Sequence, residues 1–220
     1  GDNGGAQFMA KGTLYENGIK VPLLIRWPER IPAAVTDAVV SNVDLAATCL
    51  SAAGLPVPAE MEGENLLPLL TEGAEPEERY VYSVRSCHAT NSLPEDTSVF
   101  DQMRCIVGER YKLIYNLLPG QPWVPVDFAK TEMFRELAQM NESGQLAPRF
   151  GKLYFSPTRP MFELYDLETD PHEQRNLADD PALRSVRDDL ILKLTYKMIE
   201  DEDFATLPHP KIYERRENQQ

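Results

Sequence analysis

The chain has 220 residues, of which 42% are hydrophobic, and its formal net charge is −13 at pH 7. This length is enough for one large domain or two small ones, each with a hydrophobic core. The acidic balance argues against a nucleic-acid partner, because phosphate backbones are bound mainly through Lys and Arg. No apolar run approaches the roughly 20 residues that a membrane-spanning helix needs, so we expect no membrane partner.

The first seventy residues predict the end of an α/β sheet. Residues 1–5 form a turn sequence, which in α/β enzymes typically follows a buried strand at the edge where ligands bind. The apolar run at residues 21–27 predicts a buried strand, because it is short and ends at a proline. Residues 41–53 favour a helix, with Ser41 or Asn42 as its cap. A strand followed by a helix is typical of the last βα unit of a larger sheet.

A change of composition predicts a domain boundary near residue 70. Residues 56–78 are rich in Pro, Gly and Glu, apart from the short apolar stretch at residues 66–70, which favours one helical turn. We therefore predict one region at residues 1–70 and a second at residues 71–220.

The second region predicts a small antiparallel sheet packed with a C-terminal helix. The predicted strands are residues 80–84, 103–107, 111–115 and 162–167, and the middle two form a hairpin. A helical piece covers residues 132–140. The clearest helix begins near Pro181, with Asp180 as its cap, and its apolar residues from Leu183 to Met198 fall on one face.

Two motifs near the start of the chain carry residue types suited to anion and cation chemistry. Asp2 and Asn3 place a carboxylate beside an amide oxygen, a pair that suits calcium or magnesium, although such a turn is also favoured on backbone grounds alone. Lys11 lies in a glycine-containing loop, where an ammonium can hold an anionic oxygen. The alternative is an ordinary surface lysine.

Two further residues are candidates for contact with a substrate. His88 follows a predicted strand and has the chemistry of a proton donor, whereas a structural or exposed histidine is the alternative. Arg104 lies next to an apolar strand and could point toward a cleft, and the alternative is a paired or exposed arginine. Cys49 and Cys105 are predicted to be core residues, and neither they nor Cys87 belong to a nucleophilic arrangement.

Taken in order, these segments resemble the sulfatases of the arylsulfatase type. The matching N-terminal motifs are Asp2-Asn-Gly4, Lys11-Gly-Thr-Leu-Tyr-Glu-Asn-Gly18, the Val-Pro run ending at Trp27-Pro28, and the helix from Asp44 that ends in Ala-Gly-Leu-Pro56. The matching C-terminal motifs are Met103-Arg104, Tyr111-Lys112, Glu163-Leu-Tyr-Asp166 and Asp170-Pro-His-Glu173. The stretch from Arg104 to Tyr165 is most similar to the heparan N-sulfatase (N-sulfoglucosamine sulfohydrolase) branch.

The resemblance implies a fold, a substrate class and a site. The fold would be the C-terminal part of an alkaline-phosphatase-like α/β sulfatase, and the substrate a sulfated sugar, such as one derived from a glycosaminoglycan. The cofactors would be calcium and a formylglycine nucleophile. Asp2 and Asn3 would bind the metal, Lys11 the sulfate, and His88 and Arg104 would lie at the substrate mouth, with Lys11 and His88 as catalytic residues. A periplasmic or extracellular location is also implied.

One departure from the family pattern limits what the chain is expected to do alone. Formylglycine is made from Cys or Ser in a Cys/Ser-x-Pro/Ala-x-Arg motif, and the nearest match, residues 87–91, has Asn91 in place of the arginine. We therefore expect a C-terminal fragment of a longer enzyme, inactive by itself. The alternatives are a phosphate-ester or phosphonate hydrolase of the same superfamily, or a non-enzymatic binding module.

Overall fold

The computed structural model describes residues 1, 3–5, 7–74, 78–87, 100–123, 128–129 and 131–205. The helices are α1 (Glu16–Ile19), α2 (Asp44–Ala52), α3 (Leu67–Glu72), α4 (Glu132–Glu142), α5 (Pro148–Tyr154) and α6 (Arg184–Glu200). The strands are β1 (Val81–Cys87), β2 (Phe100–Val107), β3 (Tyr111–Asn116) and β4 (Phe162–Asp166). Across these described ranges, none of the helices has the length and apolar character needed to span a bilayer.

The chain divides into two compact units. The first comprises residues 1–22, 82–106 and 110–220, and the second comprises residues 23–81 and 107–109. The predicted division into residues 1–70 and 71–220 stays a prediction, but in the structure the first 22 residues pack with the sheet. The physical reason lies in buried polar contacts of Tyr15 and Glu16, which are described with the site below.

The four strands form one antiparallel sheet in the order β1-β2-β3-β4, as the sequence predicts. The hairpin between β2 and β3 is confirmed, and each of these strands extends one to three residues beyond the predicted bounds. In the β3–β4 pair, Leu113 lies opposite Leu164 and Ile114 lies opposite Glu163. Because paired residues of an antiparallel sheet project to the same face, this register assigns the side chains of both strands to two faces.

The two faces of the β3–β4 pair differ in character, and both are buried. One face is apolar and carries Leu113, Tyr115, Phe162 and Leu164. The other face carries the polar side chains Lys112, Asn116, Glu163 and Tyr165. Buried charges are costly unless they are paired, so this second face requires polar partners from another part of the chain.

Helix α6 covers part of the sheet by packing against β3. A short 3₁₀ turn, Pro181–Leu183, precedes the helix, and the Asp180 carboxylate accepts a hydrogen bond from Ala182 N at 2.9 Å, which confirms the predicted cap. The buried apolar side chains of α6 are Leu190, Ile191, Leu194 and Met198, as the periodicity predicts.

Helix α2 in the second unit begins differently from the prediction. Neither Ser41 nor Asn42 caps it; instead the Asp44 carboxylate accepts hydrogen bonds from Ser41 N at 2.6 Å and Glu64 N at 2.9 Å. Asp44 also pairs with Arg79 at 2.7 Å. Burial acts to raise the pKa of Asp44, but these hydrogen bonds outweigh it and hold the pKa below its ordinary value.

Two predictions for the first seventy residues are wrong. Residues 21–27 form no strand, and Leu24 is 90% exposed. A strand needs ladder partners, and within the described residues no neighbouring strand pairs with this run. Cys49 was expected in the core but lies on an exposed part of α2. Cys105, in contrast, is buried in β2 as predicted, and burial raises its pKa to about 12.

A buried ion network links β1, β2 and the loop before β4. The Asp101 carboxylate accepts two hydrogen bonds from the Arg159 guanidinium, at 2.9 and 2.6 Å, and a third from Arg85. All three side chains are less than 10% exposed. Asp101 is therefore the counter-ion of two buried arginines.

We expect Asp101→Ala to lower the free energy of unfolding by about 3–5 kcal/mol, because it leaves buried cations without their partner. Asp189→Ala is the matched control, since it removes a carboxylate that is 55% exposed from its ion pair with Lys193, and it should cost less than about 1 kcal/mol. Denaturant unfolding of both variants measures the difference. Equal losses would show that the Asp101 network contributes no more than a surface pair.

Candidate active site

Two of the motifs singled out in the sequence form one connected piece of structure. We call residues 3–5 the Asn3 turn and residues 11–18 the Lys11 loop. Gly4 N donates to Gly18 O at 3.0 Å, and Lys11 N donates to Gly5 O at 3.1 Å. These main-chain hydrogen bonds fix the Asn3 turn against both ends of the Lys11 loop.

The glycines at this junction allow the close approach of the two segments. A Cβ atom on Gly4 would lie 1.9 Å from Asn17 O, and one on Gly18 would lie 2.5 Å from Ala10 O. Both distances are far below van der Waals contact, and the opposing atoms are main-chain oxygens that cannot rotate away. Any side chain at Gly4 or Gly18 would therefore separate the Asn3 turn from the Lys11 loop.

Beneath the Lys11 loop lies a set of buried polar side chains contributed by β3, β4 and the turn after β4. We call Lys112, Asn116, Glu163, Tyr165 and Glu173 the buried polar layer. The Glu163 carboxylate accepts hydrogen bonds from Tyr165 Oη at 2.5 Å and from Asn116 Nδ2 at 2.6 Å. A third comes from the loop itself, where Tyr15 Oη donates to Glu163 at 2.8 Å.

The next loop residue, Glu16, joins the same layer through both its main chain and its side chain. Glu16 N donates to the Glu173 carboxylate at 2.5 Å. Lys112 Nζ lies 3.1 Å from Glu16 Oε1 and 2.8 Å from Glu173 Oε1. Since the Lys112 side chain is completely buried, its ammonium is neutralised by these two carboxylates rather than by water.

Burial and charge shift the ionisation of this layer. Burial acts to lower the pKa of Lys112, but nearby negative charges, including Glu173 and Glu16, outweigh it and raise the pKa above its ordinary value. Burial, followed by the charge of Glu163, raises the pKa of Tyr15 and Tyr165 well above the usual range for tyrosine. At neutral pH Lys112 is thus charged, and Tyr165 of the layer and Tyr15 of the loop are un-ionised.

The segment between the Asn3 turn and Lys11 is anchored on its other side by an aromatic cluster. The Phe8 ring lies between 4.5 and 6.2 Å, centroid to centroid, from the rings of Trp123, Phe128, Phe134, Tyr154 and Phe155. A cleft of about 190 Å³ opens beside this cluster, with Phe8, Tyr154 and His172 in its walls. The cleft combines aromatic faces with a titratable side chain next to the Lys11 loop.

The model of the family "N-sulphoglucosamine sulphohydrolase, C-terminal" matches residues 4–142, which include Gly4 and Gly5 of the Asn3 turn, the Lys11 loop and β1–β3. The chain belongs to this family of sulfatases. The resemblance drawn from the ordered motifs, including the heparan N-sulfatase branch, is thereby confirmed.

Individual relatives agree with this assignment. The chain is 33% identical over 184 residues to an ulvan-active sulfatase of Formosa agariphila, a match that covers 82% of this chain and 33% of the relative. It is 32% identical over 206 residues to human N-sulphoglucosamine sulphohydrolase, covering 86% of this chain and 39% of the relative. The chain thus spans 33% and 39% of the length of these two relatives.

Solved sulfatases share the fold of this chain. A crystal structure described as a putative sulfatase from Bacteroides thetaiotaomicron matches with a TM-score of 0.57 and 22% identity, covering 87% of this chain and 32% of that one. A structure in complex with its substrate D-glucosamine-2-N,6-O-disulfate matches with a TM-score of 0.54 and 20% identity, covering 87% and 30% of the two chains. The predicted alkaline-phosphatase-like fold is confirmed by these similarities.

The predicted site residues of this sulfatase segment fall in different places. Asn3 and Lys11 lie on the connected turn and loop. Asp2 and His88 lie outside the described residues. Arg104 lies elsewhere, 5% exposed on β2, where its guanidinium donates to both carboxylate oxygens of Asp203 and to the main-chain oxygens of Arg85 and Met103. The geometry gives Arg104 a structural pairing, the alternative considered from the sequence.

Sequence reasoning missed the buried polar layer, although its members lie inside the motifs that carried the resemblance. The signal was a charged residue inside a largely apolar strand, as at Lys112 in β3 and Glu163 in β4. A charge at such a position predicts a buried ionic partner. The sequence does not say which partner, because the contact from Tyr15 to Glu163 joins residues 148 positions apart.

The residue types at the Asn3 turn fit a calcium ion only in part. An amide oxygen beside a carboxylate has the chemistry that calcium selects, but Asn3 and Asp2 supply few of the six to eight oxygens that calcium takes. Elsewhere in the described part of the chain, no group of three or more His, Cys, Asp or Glu side chains is placed to hold a metal. Further oxygen ligands would have to come from outside the described residues.

We expect the free energy of unfolding to fall as the pH rises above about 10. Tyr15, Tyr165 and Lys112 have raised pKa values in the folded state, so folding retains protons that the unfolded chain has lost. The contribution of each group to the free energy of unfolding is complete below the pKa that the group has in the unfolded chain. It declines by about 1.4 kcal/mol per pH unit as the pH increases from that value towards the pKa in the folded protein.

Denaturant unfolding of Tyr165→Phe between pH 8 and 11 tests this linkage. The variant should show a shallower decline than the parent, because one titrating group is gone. Tyr196→Phe, which changes a tyrosine that is 64% exposed, should keep the parental slope. Parallel slopes in all three proteins would contradict the assignment of the alkaline transition to the buried polar layer.

Proposed function

We propose that this chain is the C-terminal part of an enzyme that hydrolyses sulfate esters or sulfamates of sulfated sugars. Membership of the sulfatase family supports the reaction class. The observation that carries the proposal is the connected geometry of the Asn3 turn and the Lys11 loop, whose main-chain hydrogen bonds join the two segments that carry an amide oxygen and an ammonium. A relative solved with D-glucosamine-2-N,6-O-disulfate, and another named N-sulphoglucosamine sulphohydrolase, support a sulfated sugar as the substrate.

In this proposal Lys11 holds the sulfate. A sulfate group keeps negative charge on its oxygens throughout the reaction and concentrates it as the bond to the sugar breaks. An ammonium fixed in advance stabilises that charge more in the transition state than in the ground state. The main-chain bond from Lys11 N to Gly5 O supports this role, because it sets where the side chain begins.

The remaining groups of the proposed site include partners from outside the described residues. When bound, calcium would polarise the sulfate. A formylglycine in a part of the enzyme beyond these 220 residues would supply the nucleophile. Asp2 and Asn3 would be two of the calcium ligands. His88 would contact the substrate and donate a proton to the leaving group. We do not place Arg104 at the substrate, because Asp203 and main-chain oxygens occupy its guanidinium.

In the complete enzyme, Lys11→Ala should lower kcat for a sulfated glucosamine by about a hundredfold or more, the usual cost of removing one preorganised donor. Lys11→Arg should restore only part of the loss, since a planar guanidinium does not replace a compact ammonium. Steady-state kinetics and a thermal melt of each variant measure the effect.

Lys20→Ala is the matched control. Its side chain is 79% exposed, and its Nζ lies 3.9 Å from a Glu16 carboxylate oxygen. An ion pair with such an exposed partner contributes little, so both kcat and the melting temperature should stay at the parental values. Near-normal turnover in Lys11→Ala would show that Lys11 is an ordinary surface lysine. Efficient cleavage of a phosphate monoester or a phosphonate in the same assays, with no cleavage of sulfate or sulfamate, would instead favour the related hydrolases. No turnover of any of these substrates by the complete enzyme would favour a binding module.

The 220-residue chain alone should bind calcium weakly or not at all, because the Asp2–Asn3 pair supplies only part of a calcium shell. Titration calorimetry of the chain and of Asp2→Ala tests this, with Asp37→Ala as a control at an exposed carboxylate in the second unit. A tight one-to-one signal that survives in Asp37→Ala and disappears in Asp2→Ala would mean that these residues hold a complete site.

A further inference from the structure

Two consecutive residues of the Lys11 loop are held by two different carboxylates of the buried polar layer. Tyr15 Oη donates to Glu163, which lies on β4, at 2.8 Å. Glu16 N donates to Glu173, which lies on the turn after β4, at 2.5 Å. Two directional bonds from neighbouring residues fix both the position and the orientation of the chain at that point, which one bond alone would leave free to rotate.

The same pair of residues is braced from the sheet by Lys112. Its ammonium bridges the carboxylates of Glu16 and Glu173, so the side chain of Glu16 is held as firmly as its main chain. The layer and the loop together contain three carboxylate groups, those of Glu16, Glu163 and Glu173, and two of them, Glu16 and Glu173, pair with the Lys112 ammonium. Burying such groups is expensive, and well-packed apolar residues of similar volume are often equally stable or more so.

The free-energy cost of burying the layer is offset by the directionality of its hydrogen bonds. Apolar packing would allow the loop to slide, whereas a hydrogen-bonded carboxylate admits one arrangement. Tyr15 is four residues from Lys11, and the loop returns through Gly18 to the Asn3 turn at 3.0 Å. A displacement at Tyr15 or Glu16 is therefore transmitted to both the ammonium and the turn.

We propose that Tyr15 and Glu16 are positioning residues, which the buried polar layer holds so that Lys11 keeps a fixed place relative to the Asn3 turn. This inference rests on the proposed role of Lys11 in sulfate binding. Lys112, Glu163 and Glu173 act through the loop and do not touch the substrate. A reacting group displaced by about 1 Å can lose about a hundredfold in rate, so a small movement of the loop has a measurable effect.

A double-mutant cycle in the complete enzyme separates positioning from stability. Tyr15→Phe keeps the ring, which packs edge-on against Tyr165 at 6.2 Å, and removes only the bond to Glu163. It should lower kcat by about tenfold and change KM by about twofold or less. In a Lys11→Ala background the same substitution should change kcat by less than about twofold, because the group being positioned is gone.

Two further variants complete the test. Glu16→Gln and Glu16→Ala both keep the main-chain bond to Glu173, but only the glutamine keeps the side-chain shape and an oxygen that can accept a hydrogen bond from Lys112, so Glu16→Gln should lose less activity than Glu16→Ala. Leu194→Ala, in a buried position on α6, destabilises the fold without touching the loop and should leave kcat unchanged below its melting temperature. A loss of activity in Leu194→Ala as large as that in Tyr15→Phe would show that the layer acts only through the stability of the fold, which would overturn the positioning inference.

The outcomes distinguish this inference from the proposed function. If the parent enzyme cleaves neither sulfate esters nor sulfamates, the proposed function fails. If the parent cleaves them and Lys11→Ala is equally active, the proposed role of Lys11 fails, and the positioning inference fails with it. If Lys11→Ala is impaired but Tyr15→Phe is fully active, only the positioning inference is overturned. If both are impaired and their effects multiply in the double variant, Tyr15 acts independently of Lys11, which also overturns the inference.

Discussion

The burial of an ionic face on the β3–β4 pair is the constraint on which the first unit depends. Lys112 and Glu163 project from neighbouring strands into a space that water does not reach, so their charges must be satisfied by protein groups. The Lys11 loop supplies those groups through Tyr15 and Glu16. The loop is consequently part of the core of the sheet, and this explains why residues 1–22 group with β3 and β4.

The local features of the fold could be predicted from the sequence because they depend on neighbours in the chain. The positions of β3 and β4, the hairpin before Tyr111, and the Asp180 cap before α6 are of this kind. The strand expected at residues 21–27 and the expected burial of Cys49 both require a neighbouring part of the protein to pack against. An apolar sequence pattern does not show whether such a neighbour exists. In the described chain these residues lack such a neighbour and are exposed.

The candidate site was predictable to a similar degree. Asn3 and Lys11 lie close in the chain, so their connection through a glycine turn follows from short-range geometry. The pairing of Arg104 with Asp203 spans 99 residues, and nothing in a strand sequence distinguishes an arginine that faces a cleft from one held by a distant carboxylate. The two carboxylates that support the loop, Glu163 and Glu173, were missed for the same reason, because a buried charge reveals that it has a partner but not which one.

The distance in sequence between the Lys11 loop and the buried polar layer also has a consequence for folding during synthesis. The bond from Tyr15 to Glu163 spans 148 residues, and the bond from Glu16 to Glu173 spans 157. Contacts of such high order form late, since a long stretch of chain must be ordered before they can close. On the ribosome, the segment that carries Lys11 emerges well before β4 and must wait for it without its ionic partners. The segment that carries Lys11 is thus synthesised before β4 and is among the last segments of this unit to reach its final structure.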